Sequence, residues 1–124
     1  MSIRQERINE QVFRELPVIL REVKDYRLRK AFVSITAVNV AKDLSSARIY
    51  YSAIPDGRSE SLEVKDIQKG LESASGFIRS ELAHRLNLRI TPKLIFVFDD
   101  SAERALRISE TLKVIGENEN GNDK

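Results

Sequence analysis

The stretch from Ile67 to Phe98 limits the possible folds most strongly, because a long run of apolar residues at helical spacing carries a glycine and then feeds a buried strand. Ile67, Leu71, Ala74, Ile78, Leu82 and Leu86 step by four, three, four, four and four residues, which keeps one stripe of a 3.6-residue helix against a core. Gly76 lies inside that run. Glycine costs roughly 1 kcal/mol against alanine in a helix interior, so a kink or the close approach of another backbone is expected there.

The opposite face of this helix carries Lys65, Lys69, Ser73, Gly76, Ser80, His84 and Asn87, with no acid among them. Glu63, Glu72 and Glu81 lie nearer its flanks. Such a strip suits a polyanion, since small side chains admit a phosphate backbone while lysines and hydroxyls contact its oxygens. An ordinary solvated helix face with a packing glycine is the alternative.

At 124 residues the chain is read as one domain over residues 1–115, with 116–124 a disordered polar and acidic tail. It has no cysteine, which excludes a disulfide framework and any thiolate site. The polar start carries Glu6 and Glu10, unlike a secretory or transit signal, and no apolar run approaches the ~20 residues of a membrane span. A cytoplasmic protein without membrane contact is expected. The net charge of +2 is uneven: residues 1–30 and 77–98 each carry a basic surplus of three, and residues 99–124 an acidic surplus of three. That asymmetry points to nucleic acid.

Ile8, Val12, Leu16, Ile19 and Val23 give residues 4–23 an amphipathic helix, with Pro17 expected to kink it or to break it after Glu15. Arg4, Arg7, Arg14 and Arg21 decorate its outer side, and Lys24, Arg27, Arg29 and Lys30 follow in an exit loop with only Asp25 to balance them. Ala31 to Val40 alternates with period two, and its apolar parity shifts near Thr36 and Ala37, the mark of a bulge. Lys42 to Ser45 reads as a turn and Ala47 to Ile54 as a second strand, together an antiparallel hairpin. An exposed loop, 55–61, precedes the long helix.

Pro92 ends the exit from that helix, and Leu94 to Phe98, apolar on both faces, reads as a central strand covered on both sides. If it joins strand one in parallel, the helix makes a crossover of the usual hand. Residues 101–115 form a last helix with Ala105, Ile108, Leu112 and Ile115 on one side. Asp100 and Glu103 read as its capping box rather than as a metal site. The lone His84 has no triad-like partners in sequence, the five phenylalanines are assigned to the core, and no enzyme, metal or cofactor is expected. Of the phenylalanines, Phe77 beside the bend is the one exception considered.

The order is α-β-β-α(kinked)-β with an additional C-terminal helix, a two-layer α+β domain of KH-like type II arrangement. The Gly-x-x-Gly loop of KH domains is absent: glycines stand at 57, 70, 76, 116 and 121. Ala74 to Leu82, continuing through Arg85 to Arg89, Pro92, Leu94, Phe96, Asp99, Ser101 and Glu103, resembles the signature region of the bacterial ribosome-binding factor A family. Asp43 to Ala47 and the opening helix ending in Lys24-Asp25 and Arg27-Leu28 resemble it too, so that the likeness covers residues 4–112. In that family an Ala-x-Gly at a helix kink replaces the Gly-x-x-Gly loop, and Ala74-Ser75-Gly76 supplies it. Tyr26 departs from the pattern, which commonly has proline there.

The resemblance implies a non-catalytic, cytoplasmic factor that binds the free small (30S) ribosomal subunit and its 16S rRNA in late maturation and rRNA processing. It also implies departure before subunits join and a link to growth in the cold. A monomer is expected, and no DNA partner. The RNA-contacting residues are expected to be Arg4, Arg7, Arg27, Arg29, Lys30, Lys65, Lys69, Ser73, Arg79, Ser80, Arg85, Arg89 and Lys93, reading shape rather than base sequence. Reversing the charge of Arg85 and Arg89 together is expected to abolish subunit binding with the fold intact. A generic KH-like RNA-binding module, or a protein-interaction module, is the alternative.

Overall fold

Helix α1 (Ile3–Glu22) begins at Ser2, whose hydroxyl accepts the Gln5 N–H at 3.1 Å while the Gln5 side chain accepts the Ser2 N–H, a capping box. The computed structural model describes residues 2–55, 63–101 and 104–112. Pro17 neither ends α1 nor breaks it after Glu15. Leu16 and Ile19, fully buried on either side, anchor both halves, and this packing offsets the ~3 kcal/mol that an interior proline costs a helix. The exit is not a plain loop either: Asp25 caps a short helix α2 (Tyr26–Arg29) by accepting the Arg27 N–H at 2.9 Å.

Strands β1 (Ala31–Val40) and β2 (Ser46–Pro55) form the expected antiparallel hairpin, and its register shifts between Ile35 and Ala37, the bulge legible in the sequence. The turn between them puts Leu44 at φ 63° and is closed by Asp43, which accepts from the Ser45 N–H and hydroxyl. Two amides of α1 hold the end of β1. Buried Gln5 donates to the Val40 carbonyl at 3.1 Å, and Asn9 accepts the Val40 N–H at 2.8 Å.

Strand β3 (Lys93–Phe98) corrects two expectations. It pairs in parallel with β2, not with β1, and among the described strands it lies at an edge in the order β1-β2-β3. Leu94 and Phe96 are buried, while Ile95 on the other face is 39% exposed, so only one face is covered. The helices after β2 pack on β2 and β3, and the chain returns to the nearest free edge.

The apolar stripe from Ile67 to Leu82 is borne by two helices, α3 (Val64–Ser73) and α4 (Ser75–Leu86), that meet at Ala74. The buried Ala74 donates its N–H to Gly70 and accepts that of Ile78, so the ladder passes through the break. Ser75 closes the last turn of α3 by donating its hydroxyl to the Glu72 carbonyl at 2.7 Å. Gly76 sits one residue inside α4, exposed, with nothing of this chain within 4 Å of where a Cβ would stand. The close approach occurs instead at buried Gly70, where a Cβ would meet Leu28 Cδ2 at 3.2 Å and Asp25 Oδ1 at 3.3 Å. Ile8, Val12, Leu16 and Ile19 of α1, Ala47, Ile49, Tyr51 and Ala53 of β2, and the α3–α4 stripe share one core.

Three of the five phenylalanines are not core: Phe13, Phe32 and Phe77 are exposed, while Phe96 is buried and Phe98 packs edge-on to Tyr51 at 5.7 Å. Residues 104–112 are helical as expected, but Ala105, Ile108 and Leu112 lie at the surface. The Ser101 N–H is taken by Asp99 at 2.9 Å, and Asp100 pairs with Arg104 at 3.0 Å; Glu103, Ile115, the 56–62 part of the expected loop and the tail at 116–124 lie outside the described residues.

Gly76→Ala is expected to stabilise the protein by about 0.5–1 kcal/mol through helix propensity, and Gly70→Val to destabilise it by about 1–3 kcal/mol through overpacking, both read by urea denaturation. Tyr51, whose hydroxyl donates to Gln68, has its pKa pushed up to about 12 by burial and then by the negative Glu72. A raised folded-state pKa stabilises fully below the unfolded value of 10.0 and ever less as pH rises toward 12. Stability should therefore fall across that window, and Tyr51→Phe should remove this component of the slope in denaturant titrations at stepped pH.

Candidate nucleic-acid interface

The helix break carries the polar strip across with the apolar stripe: Lys65, Lys69 and Ser73 on α3, then Gly76, Ser80, His84 and Asn87 from α4 to its end, face away from the core. Lys65 lies 3.4 Å from Glu63 with both groups in solvent, a contact of little energetic weight. Beside α3 stands α2, because Leu28 and Asp25 pack on Gly70. The fold thereby brings the Arg27, Arg29 and Lys30 cluster next to Ser73, some forty residues away in sequence, with Arg27 donating to the Ser73 hydroxyl at 3.3 Å.

Arg27 is committed mainly to its own helix cap. Its Nε and Nη2 reach the two Asp25 oxygens at 3.0 and 2.7 Å, a bidentate pair. The hydrogen bond from Arg27 holds the Asp25 carboxyl below the usual carboxylate range, and the same bond raises the Arg27 pKa. The guanidinium lies 5.7 Å from the centroid of the exposed Tyr26 ring. Sequence reading misses this aromatic, because it weighs the phenylalanines and treats Tyr26 only as a departure from a family pattern; its place among four basic residues is the available signal.

A second basic group forms where the end of α4 meets the start of α1. Asn87 caps α4 in the left-handed conformation at φ 51°, which turns the chain so that Leu88 and Arg89 line a cleft with Ile3, Arg4, Arg7 and Ile8. Arg4, Arg7, Arg89 and Lys93 are exposed. Two other arginines brace the protein itself. Arg79 donates to the carbonyls of Pro92 at 3.1 Å and Thr91 at 3.0 Å, fastening the turn before β3 to α4. Arg85 pairs with Glu22 at 2.8 Å, Glu81 at 3.3 Å and Glu15 at 3.5 Å, joining α4 to α1. Partial desolvation opposes its charge, but the hydrogen bond and field of Glu81 and Glu22 outweigh it and raise its pKa. Reversal of Arg85 would set four carboxylates together, so the expectation of an intact fold does not hold for that variant.

Asp99 accepts from the hydroxyl and N–H of Ser101 and from the Thr36 hydroxyl at 2.8 Å, which together keep its pKa low. Among the described residues no group of three or more His, Cys, Asp or Glu is placed to hold a metal ion, and no helix is long and apolar enough to cross a membrane.

A helix-kink-helix over a three-stranded mixed sheet, with lysines and small residues along its outer face, defines a KH-like α+β domain. The family model for ribosome-binding factor A matches residues 4–112. The chain belongs to the ribosome-binding factor A family. It is 46% identical over 110 residues to ribosome-binding factor A of Methylobacillus flagellatus, covering 88% of this chain and 82% of that protein. The crystal structure of ribosome-binding factor A from Thermus thermophilus superposes with a TM-score of 0.63 at 26% identity, covering 76% of this chain and 93% of that one. A Thermus thermophilus homology model fitted into the cryo-EM map of a 30S–RbfA complex shares the fold with a TM-score of 0.56 at 20% identity, covering 82% and 97%.

Arg85→Ala is expected to lower the melting temperature by several degrees, while Lys69→Ala leaves it unchanged. Asp25 stabilises the fold above its unfolded pKa of 3.8, and that contribution is lost as pH falls through its lower folded-state value. Asp25→Asn should therefore flatten the acid decline of stability below about pH 4, measured as thermal melts between about pH 5 and pH 2.5.

Proposed function

We propose that this protein is a non-catalytic assembly factor that binds the free small ribosomal subunit through its 16S rRNA late in maturation and rRNA processing, and leaves before the subunits join. Membership of the ribosome-binding factor A family over residues 4–112 carries this reading. A relative of the same fold has been fitted into a map of its complex with the 30S subunit, which supports the choice of partner. In this reading residues 1–115 act as one RNA-binding unit, monomeric and cytoplasmic, with no DNA partner and with a role in the cold, where RNA rearranges slowly.

The contact set is drawn from exposed cations that are not committed to protein acceptors. Lys65, Lys69 and Ser80 along the kinked helix, Arg29 and Lys30 beside it, and Arg4, Arg7 and Arg89 at its far end would meet phosphate and sugar oxygens, while Lys93 stands apart on the outer face of the sheet. Arg27 and Ser73 would sit at the rim of this surface, while Arg79 and Arg85 would hold its shape. Because the cations are spread over the surface rather than gathered at one point, they suit recognition of RNA shape.

Sedimentation with isolated small subunits, isolated large subunits and joined ribosomes, at low and moderate salt, tests the proposal. Salt-sensitive co-migration with free small subunits alone is expected; equal binding to all three, or to none, would sink it. Lys30→Glu with Lys69→Glu should weaken small-subunit binding at least tenfold without changing the melting temperature. The slope of log affinity against log salt should become shallower by roughly 0.7–0.9 for each phosphate that the variant no longer neutralises. An unchanged slope and affinity would remove these residues from the contact set.

A further inference from the structure

Among the described residues the helices cover one face of the sheet, and the other stays open. Side chains alternate along each strand, so this outer face carries Phe32, Ser34, Ala37 and Asn39 from β1, Arg48, Tyr50, Ser52 and Ile54 from β2, and Lys93, Ile95 and Val97 from β3. Its most apolar part is the cross-strand pair Phe32 and Ile54, 70% and 67% exposed. The same chain holds a second uncovered apolar surface, since Ala105, Ile108 and Leu112 line one side of helical residues 104–112, with Ile108 and Leu112 59% and 63% exposed.

Hydrogen bonds fix where the chain leaves β3. The Asp99 N–H donates to the Tyr51 carbonyl at 2.7 Å, the last rung of the ladder, while the Asp99 carboxylate accepts from Thr36 of β1 at 2.8 Å. Since β2 separates β3 from β1, this reach carries the chain over the outer side of β2 just before Ser101 begins its helical turn. The helix thus starts on the open face. Phe32 lies four residues along β1 from Thr36, about 13 Å at strand rise. Ile108 and Leu112 follow Ser101 by seven and eleven residues, within chain reach of the Phe32 and Ile54 pair.

We propose that residues 104–112 close onto the outer face of the sheet, seating Ile108 and Leu112 on Phe32 and Ile54. The occupant is this chain's own helix. Its short tether to β3 gives it an effective concentration that a free partner reaches only in the millimolar range, and closure removes two apolar surfaces from water at once. It leaves the polar strip on α3 and α4, which lies on the opposite layer, uncovered.

The chain has no cysteine, so introduced pairs report without background. In the full chain, Ile54→Cys with Ile108→Cys is expected to oxidise to an intramolecular disulfide in most molecules, seen as a faster monomer band that reduction reverses. Ile95→Cys with Ile108→Cys, at the other end of the same face, should form at least fivefold less. Disulfide-linked dimers alone, equal yields from both pairs, or no bond in either would overturn the proposal. As a measurement that needs no cysteine, amide exchange in residues 104–112 should speed up at least threefold in Phe32→Ser with Ile54→Ser relative to the unaltered protein. Equal exchange would also overturn it.

Discussion

The structure depends on one constraint: a single apolar stripe has to stay buried while the helix that carries it bends. Ala74 meets that constraint because its methyl group fits in the core and its backbone serves both helices, donating back to Gly70 and accepting from Ile78. A larger side chain at the bend would push α3 and α4 off β2 and β3. Because the stripe stays in phase across the break, so does the face opposite, and the lysines of α3 and the serine of α4 end on one surface. Burial on one side of the helix thus organises the charge on the other.

Charge on this protein divides by chemistry as well as by position. Arginines at 27, 79 and 85 use their planar, multi-donor heads on protein acceptors, namely a cap carboxylate, two turn carbonyls and a trio of glutamates. The lysines at 65 and 69, flexible point charges, stay in solvent. This is what the two side chains do best: a rigid fork loses little entropy in binding several acceptors at fixed geometry, whereas an ammonium on a long stem follows a moving phosphate. The net charge is small, yet the exposed cations include groups on the kinked helix, beside it on α2 and at the junction of α4 with α1.

Most of the element order was legible in the sequence, including the hairpin, the bulge at Thr36 and the turn at Asp43, because each follows from local spacing and turn chemistry. What was not legible is non-local. Nothing in Leu94 to Phe98 says which edge it joins; its outer residues, Ile95 and Val97, read as a second buried face because they are apolar although not buried. Gly76 stands out as the glycine at the centre of the helical run, whereas Gly70 takes the close contact with Leu28 and Asp25. Arg85 stands in a basic segment by sequence but between three carboxylates in space, two of them from α1. Charge counted along a chain does not distinguish a strut from a free cation.

The parallel pairing of β2 with β3 has a consequence for how the chain is made. Ser46 and Lys93 are neighbours in the sheet but about 47 residues apart in sequence, while the β1–β2 hairpin closes over a short turn. Loop-closure entropy therefore favours the hairpin first and defers the third strand. During synthesis β2 waits with an open edge until α3, α4 and β3 have all left the ribosome, and only then do Leu94 and Phe96 complete the core. A nascent chain stalled between the hairpin and Phe98 carries β2 with the edge that β3 will take still unpaired and a core without Leu94 and Phe96, a state exposed to aggregation.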